Sequence, residues 1–384
     1  MTVVIALDSF KGSIPAASAA TEIAAGWRSA DPGAQVVLRP MADGGEGTLD
    51  AFAAAVPGAE RMPVRVRGPR GAEVPASWLR LPGGTAVVEL ASTSGIELLG
   101  DARLPWDADT TGFGEAIAAA LDAGATRLVL GIGSSASSDG GTGMLRALGA
   151  RFHDADGLDV PRGARGLAAI AAADFSRLRA LPPGGVIVLS DVTNPLTGPR
   201  GAAAVFGPQK GLAPADIPAV DAALVRFAAV VGAGAQAAAR GVVGGRGDAA
   251  APLDPTMPGA GAAGGTGFAL AAWGARLVPG AGEVADLIGL RDAIAAASVV
   301  VTGEGSFDGQ SAAGKVPSFV QVLAAEQGVP TVLVAGRITP DADVSSFATA
   351  VSLTDLAGSA TASLAAPGRW LREAGRLLAD GRSS

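Results

Sequence analysis

Five short apolar runs each end in a glycine-containing loop that carries Asp, Ser or Lys, and this repeated arrangement constrains the fold more than any other feature. The runs are Val3–Leu7, Val36–Leu38, Arg127–Gly131, Val186–Ser190 and Ser298–Thr302, and they close at Asp8, Asp43, Gly131, Asp191 and Gly303. A continuous apolar run rich in β-branched residues reads as a strand buried on both faces, as in a parallel sheet. Helical stretches fall between them. Ser13 and Pro15 open an Ala-rich helix to Ser29, and others are expected at Thr48–Ala55, Phe113–Asp122, up to Leu148, from Pro214 to about Val231, at Pro317–Glu326 and at Arg369–Ala379. Thr331–Ala335 is one more strand. Between Arg61 and Ala91 the pattern alternates around turn residues, which predicts antiparallel or mixed sheet. The expected class is therefore α/β, with βα units at both ends of the chain and a middle segment of different character. Open parallel α/β sheets bind ligands beyond the carboxyl ends of their strands, so the five loops are where chemistry is expected.

What the chain lacks narrows that chemistry. It contains no Cys, which excludes disulfides, iron–sulfur clusters, thiolate zinc sites and a Cys nucleophile. Its single His, His153, leaves no room for a multi-His metal site or a Ser-His-Asp triad. His153 itself reads as a turn or surface residue with no role. A formal net charge of −7 argues against a broad nucleic-acid face. The first apolar run is too short for a signal peptide, and the longest uncharged stretch, Pro255–Ala275, is broken by glycines and prolines. The expectation is a cytoplasmic protein with no membrane or nucleic-acid partner. Its 384 residues suit two to three domains.

The basic residues are unevenly chosen. Of 29 Lys plus Arg, only Lys11, Lys210 and Lys315 are lysines, and all three lie in or beside glycine-containing loops. A compact ammonium and a planar guanidinium are not interchangeable where a phosphate must be approached closely. Asn194, in Asp191-Val-Thr-Asn-Pro195, is the only Asn. Each loop admits a functional and a bland reading. Gly131–Gly143 follows a strand and opens a helix, the arrangement that lets backbone N–H groups hold an anion, or it is a flexible turn capped by Asp139. Asp43 and Glu46 flank glycines and suit Mg²⁺ or a substrate hydroxyl, or form an ordinary helix entry. Asp191 and Asn194 suit a base and an orienting amide, or an Asx turn before proline. Thr302–Lys315 gathers Glu304, Asp308, hydroxyls, glycines and a lysine, which favours a ligand loop.

Seven motifs stand in order: Asp8-Ser-Phe-Lys-Gly12, Pro40-Met-Ala-Asp-Gly-Gly-Glu-Gly-Thr48, Gly131-Ile-Gly-Ser-Ser-Ala-Ser-Ser-Asp-Gly-Gly141, Asp191-Val-Thr-Asn-Pro195, Phe206-Gly-Pro-Gln-Lys-Gly211, Pro258-Gly-Ala-Gly-Ala-Ala-Gly-Gly265 and Thr302-Gly-Glu-Gly-Ser-Phe-Asp-Gly-Gln-Ser311. Together they resemble the bacterial glycerate kinases that yield 2-phosphoglycerate, with similarity from the first strand to about residue 337. The resemblance implies ATP-dependent, Mg²⁺-assisted phosphorylation of D-glycerate. It also implies two unlike α/β domains with the active site in the cleft. One is flavodoxin-like and discontinuous, expected at 1–60 and 288–384. The other has a mixed, restriction-endonuclease-like sheet, expected at 61–287. The chain departs from the family pattern at Ser134, where a Gly is common, at Ser138, where an Asn is common, and at Ala313, where a His is frequent.

Phosphoryl transfer needs positioning and charge neutralisation. On that basis Asp191, then Asp43, is the expected base, with Lys11 and Lys315 neutralising the moving phosphoryl group. Asp8, Ser9, Gly44, Gly45, Glu46, Gly133, Ser134, Ser135, Asp139, Gly140, Asn194, Lys210, Glu304, Asp308, Gln310 and Ser311 are expected to bind substrate or nucleotide. Asp43, Asp191 and Glu304 are the candidate metal ligands. A monomer or homodimer is expected. Two other readings remain open: a non-catalytic sensor of small organic acids, and a Mg²⁺-dependent sugar-acid dehydratase.

Overall fold

The computed structural model describes residues 1–241, 253–309 and 316–381. Its strands, in chain order, are β1 (Thr2–Leu7), β2 (Gln35–Leu38), β3 (Glu60–Arg67), β4 (Glu73–Arg80), β5 (Thr85–Glu89), β6 (Arg127–Gly131), β7 (Arg151–His153), β8 (Ala172–Asp174), β9 (Val186–Leu189), β10 (Arg276–Val278), β11 (Val299–Phe307), β12 (Thr331–Ile338) and β13 (Thr349–Ser352). They fall into two compact units. The first comprises residues 1–43, 47–57 and 280–384, and the second 44–46 and 58–279. The sequence placed the boundaries at 60/61 and 287/288. The later one differs because helix Gly280–Leu287 packs with the first unit, its Val284 and Ala285 buried.

The first unit is built on a five-stranded sheet in the order β13-β12-β11-β1-β2, with every neighbouring pair parallel. This is the flavodoxin-like order. Val3 to Leu7 are wholly buried, as a strand covered on both faces requires. One face packs on helices Ala16–Ala30 and Pro367–Asp380 through Ile23, Trp27, Leu371, Ala374 and Leu378. Helix Val316–Ala325 packs on β1, β11 and β12. Two local expectations fail here. Ser13 is not the cap of the first helix: Pro15 holds that position without a side-chain bond, and the Ser13 N–H donates to the Phe10 carbonyl. The strand expected to stop at Thr302 runs on to Phe307, because β12 offers it partners as far as Ile338.

The second unit holds a six-stranded sheet in the order β10-β9-β6-β5-β4-β3. The β3–β4 and β4–β5 pairs are antiparallel and the other three pairs parallel, the mixed sheet expected from the alternating middle segment. Its core gathers Phe113, Ile117, Leu128, Leu130, Met144, Phe152, Phe227 and Phe268. The helix after Pro214 runs from Ile217 to Gly241, longer than expected. Its stretch Ile217–Ala235 is long and apolar enough to cross a membrane by length and composition, yet Val220, Leu224, Phe227 and Val231 are buried in this core. That spacing is one helical face turned inward. His153 is no turn residue: it ends β7, which pairs with β8, and its ring lies 3.5 Å from Asp159.

Candidate active site

In the first unit the functional residues stand where the chain's strand order reverses, between β1 and β11, and ligands in open α/β sheets sit outside the carboxyl ends of strands at such a point. Asp8 follows β1 directly. One residue past the Leu7–Gly303 register pair, its N–H donates to the Gly303 carbonyl at 2.8 Å. Its carboxylate accepts from the Ser9 N–H at 2.7 Å. Asp8 and Glu304 are each 8% exposed. Burial, and then the neighbouring charge of Asp43, push the Asp8 carboxyl up to about 7. Lys11 is exposed and donates to Asp43 Oδ2 at 2.9 Å. Asp43 foremost holds its ammonium above the ordinary lysine range.

The ligand loop expected at Thr302–Lys315 is therefore half strand. Gly303 serves strand packing: a Cβ there would stand 1.8 Å from the Val334 carbonyl oxygen. Glu304 is presented from within β11, and Asp308 lies just beyond its end. Gln310, Ser311 and Lys315 lie outside the described residues, as does Ala313.

Among the described residues, no group of three or more His, Cys, Asp or Glu is placed to hold a metal ion. Mg²⁺ needs no such cage, since it keeps waters and takes one or two carboxylates together with substrate phosphates. The crowding of Asp8, Asp43 and Glu304, whose charges oppose one another, is the kind of donor set that a hard cation brought by a nucleotide would relieve.

In the second unit, the motifs converge on the Gly131–Gly143 loop. Gly44 is in a left-handed conformation with φ 90°, and a Cβ there would stand 2.3 Å from the Leu189 carbonyl oxygen. The Gly44 carbonyl in turn accepts the Gly133 N–H at 2.9 Å. A Cβ on Gly133 would lie 2.5 Å from Gly45 Cα. These glycines let the Gly44–Gly45 stretch, the end of β6 and the end of β9 touch backbone to backbone. Asp191 follows Leu189 at that junction and is exposed, as is Glu46. The Asn194 side-chain amide donates to the Arg200 carbonyl at 2.8 Å, and its backbone carbonyl accepts the Gly261 N–H at 3.0 Å. Neither bond is the Asx turn of the bland reading; the side chain ties down its own loop.

The loop differs from the expected cradle in a second way. Asp139 is wholly buried and touches no open surface. Its Oδ2 accepts from Thr110 N (3.0 Å), Thr110 Oγ1 (2.8 Å) and Gly143 N (3.0 Å), and its Oδ1 from Ser137 Oγ (3.1 Å) and Gly141 N (3.0 Å). Burial and Asp109 push this carboxyl up, against the pull of its donors. Asp139 is a brace for the loop, not a ligand contact. The N–H groups of Gly133, Ala136 and Gly140 are likewise used internally, on Gly44, Ser94 and Gly264. The part of the loop whose N–H groups are not among these is Ser134, Ser135, Ser137 and Ser138, the candidate stretch for an anion. Ser134 stands exposed with φ 58°, while Ser135, Ser137 and Ser138 are buried. Lys210, expected to contact substrate, lies behind the loop at 2% exposure.

Sequence reasoning passed over Thr110, whose hydroxyl links Asp139 to the Met144 N–H at 2.9 Å. It also passed over Asp109, 3% exposed and 3.5 Å from Arg162. The signal was present as Asp109-Thr-Thr-Gly112 at a helix start, but nothing in one dimension tied it to a loop some thirty residues away.

Comparison with known proteins agrees with this geometry. The model of the glycerate kinase family matches residues 3–381. The match extends past residue 337, where the motif similarity was expected to end, because β13 and helix Pro367–Asp380 are part of the first unit's fold. The chain is 42% identical over 348 residues to glycerate 2-kinase of Escherichia coli (strain K12), covering 90% of this chain and 87% of that protein. It is 40% identical over 353 residues to glycerate kinase of Bacillus subtilis (strain 168), covering 89% and 87%. It superposes with TM-score 0.82 and 37% identity on a crystal structure from Salmonella typhimurium LT2 named for glycerate kinase 2, covering 100% of this chain and 98% of the other. A family match along nearly the whole length, with a relative 42% identical over 90% of the chain, makes this chain a member of the glycerate kinase family, an enzyme of the phosphotransferase class.

Proposed function

We propose that this enzyme transfers the γ-phosphoryl group of ATP to the 2-hydroxyl of D-glycerate, giving 2-phosphoglycerate and ADP. The observation that carries the reading is the relative 42% identical across 90% of the chain and named glycerate 2-kinase. The physical support lies in each unit by itself: an acid–lysine cluster, Asp8, Lys11, Asp43 and Glu304, in the first, and a braced glycine–serine loop, Gly131–Gly143, in the second. Phosphoryl transfer asks for such parts: fixed donors on phosphate oxygens, and charge to balance the moving group.

In this reading Ser134 and Ser135 meet nucleotide phosphates. Lys11 and Lys315 neutralise the transferring group. Asp191 accepts the glycerate hydroxyl proton as that oxygen attacks phosphorus, and Arg or Lys side chains hold the glycerate carboxylate. Mg²⁺ is part of the nucleotide substrate; Asp43 and Glu304 would hold it, and it would supply charge neutralisation on the phosphates, while Asp191 would serve as a ligand instead only if the base were another carboxylate. The enzyme works in the cytoplasm on small molecules, as a monomer or homodimer.

Coupling the reaction to enolase with no phosphoglycerate mutase present tests the proposal, because only the 2-phosphate feeds enolase. A signal is expected with ATP, Mg²⁺ and D-glycerate together, and none in excess EDTA. A requirement for mutase would assign the 3-phosphate instead. An absence of ATP consumption on adding D-glycerate would remove the kinase reading.

A further inference from the structure

Lys210 is a lysine almost sealed from solvent, in a chain that uses arginine nearly everywhere else. It ends the short turn Pro208–Lys210, and its ammonium reaches the Gly131–Gly143 loop from the inner side. Nζ donates to Ser135 Oγ at 2.7 Å and to the Ser137 carbonyl at 2.5 Å. A hydroxyl that accepts from an ammonium has its own hydrogen left for another direction. We propose that Lys210 is the positioning residue of this loop: it fixes the Ser135 hydroxyl as an outward donor, and its Nζ takes up a proton from solvent when the loop receives an anionic phosphate group. The inference rests on the phosphate-binding reading of the loop given above.

The surroundings make the proton uptake possible. Burial pushes the Lys210 ammonium down to about 7, with Asp139 pulling the other way. Asp139 spends its oxygens on Thr110, Ser137, Gly141 and Gly143, so it does not pair directly with Nζ. Asp109 acts on Asp139 in turn, and Arg162 stands 3.5 Å from Asp109. Arg103 packs on Gly211 beside Lys210 and turns its guanidinium to the carbonyls of Ile96 and Gly100. Among the described residues no carboxylate therefore holds the proton on Lys210 tightly, and an added negative charge within ~6 Å raises its affinity by roughly two pKa units at an effective dielectric of about 20. Arginine at this position would stay charged throughout and could not act in this way.

Calorimetry of MgATP binding, in two buffers of different ionisation enthalpy, counts the protons taken up. With the wild-type enzyme about half a proton or more is expected at pH 8, falling towards none at pH 6, where Lys210 is already charged. Lys210→Met should bind MgATP at least about tenfold more weakly at pH 6 and lose the uptake at pH 8. Lys210→Arg should lose the uptake while keeping more of the affinity. No uptake by the wild-type enzyme at pH 8, or the same uptake in Lys210→Met, overturns the inference and leaves the kinase reading standing. Failure of the wild-type enzyme to bind MgATP at all overturns both. If Lys210→Met does not fold, Lys210→Arg provides the same comparison, and uptake equal to that of the wild-type enzyme overturns the inference.

Discussion

Ser134 stands in the Gly131–Gly143 loop in a conformation that side chains avoid, with φ 58°. A left-handed backbone costs a non-glycine residue about 1–2 kcal/mol, and glycine's extra unfolded-state freedom offsets part of the gain from relieving it. Ser134→Gly should therefore change stability by less than ~1 kcal/mol. Ser134→Val, whose β-branch suits this region poorly, should lose about 1–2 kcal/mol in urea titrations. An unaltered midpoint for the valine variant would show that the loop carries no strain there. Asp8 gives a pH signature. Its folded-state value of about 7 exceeds the ordinary 3.8. Between these values the folded protein keeps a proton that the unfolded chain releases, so Asp8 makes stability fall as pH rises from about 4 to 7. Asp8→Asn should flatten that slope by a few kcal/mol over the window. Identical pH–stability curves would refute the buried-acid account. Asp8 was legible as a candidate because it ends an apolar run. Its crowding by Asp43 and Glu304 was not, because those residues come together only through the pairing of β1 with β2 on one side and with β11 on the other.

Among the elements, the last helix shows what glycine spacing hides. Helix Ala16–Ala30 and helix Pro367–Asp380 lie so close that a Cβ on Gly26 would stand 1.8 Å from the Arg372 carbonyl oxygen, and one on Gly375 would stand 2.2 Å from the Ile23 carbonyl oxygen. Backbone oxygens cannot yield as a flexible side chain does. Gly375→Ala should cost about 2–4 kcal/mol and lower Tm accordingly, read by thermal unfolding, although Ala is the better helix former. A stabilised variant would mean that the helices are not so tightly seated. The sequence located both helices by composition, but their contact joins residues about 350 apart and leaves no periodic trace. The strand runs and the alternation of β3 and β4 were readable because burial on two faces, or on one, imposes a local pattern. The extension of β11 was not readable, since Gly303-Glu-Gly-Ser306 has loop composition and is held as strand by β12. For the same reason Asp139 and Lys210 looked like ligand residues. Burial, not motif membership, decides which way a charged side chain is used.

For the whole molecule, the two units differ in how the chain supplies them. The six-stranded sheet and its core come entirely from residues 58–279, so that segment expressed alone should unfold cooperatively in urea. A gradual, non-cooperative loss of signal would show that it depends on the rest of the chain. The five-stranded sheet has no such independence, because β1 pairs with β11 in the register Val3–Val299. During synthesis, then, β1 leaves the ribosome long before its neighbour exists. Roughly 220 residues of the second unit must be made in between, which takes on the order of 10–40 seconds at about 5–20 residues per second. Throughout that interval Val3 to Leu7, wholly buried in the finished protein, have nothing to pair with on the β11 side. The nascent chain therefore carries a sticky strand with one edge unpaired. Early folding of the second unit helps by drawing the two halves of the sheet closer along the chain, and chaperone demand should fall on the first fifty-odd residues rather than on the larger middle segment.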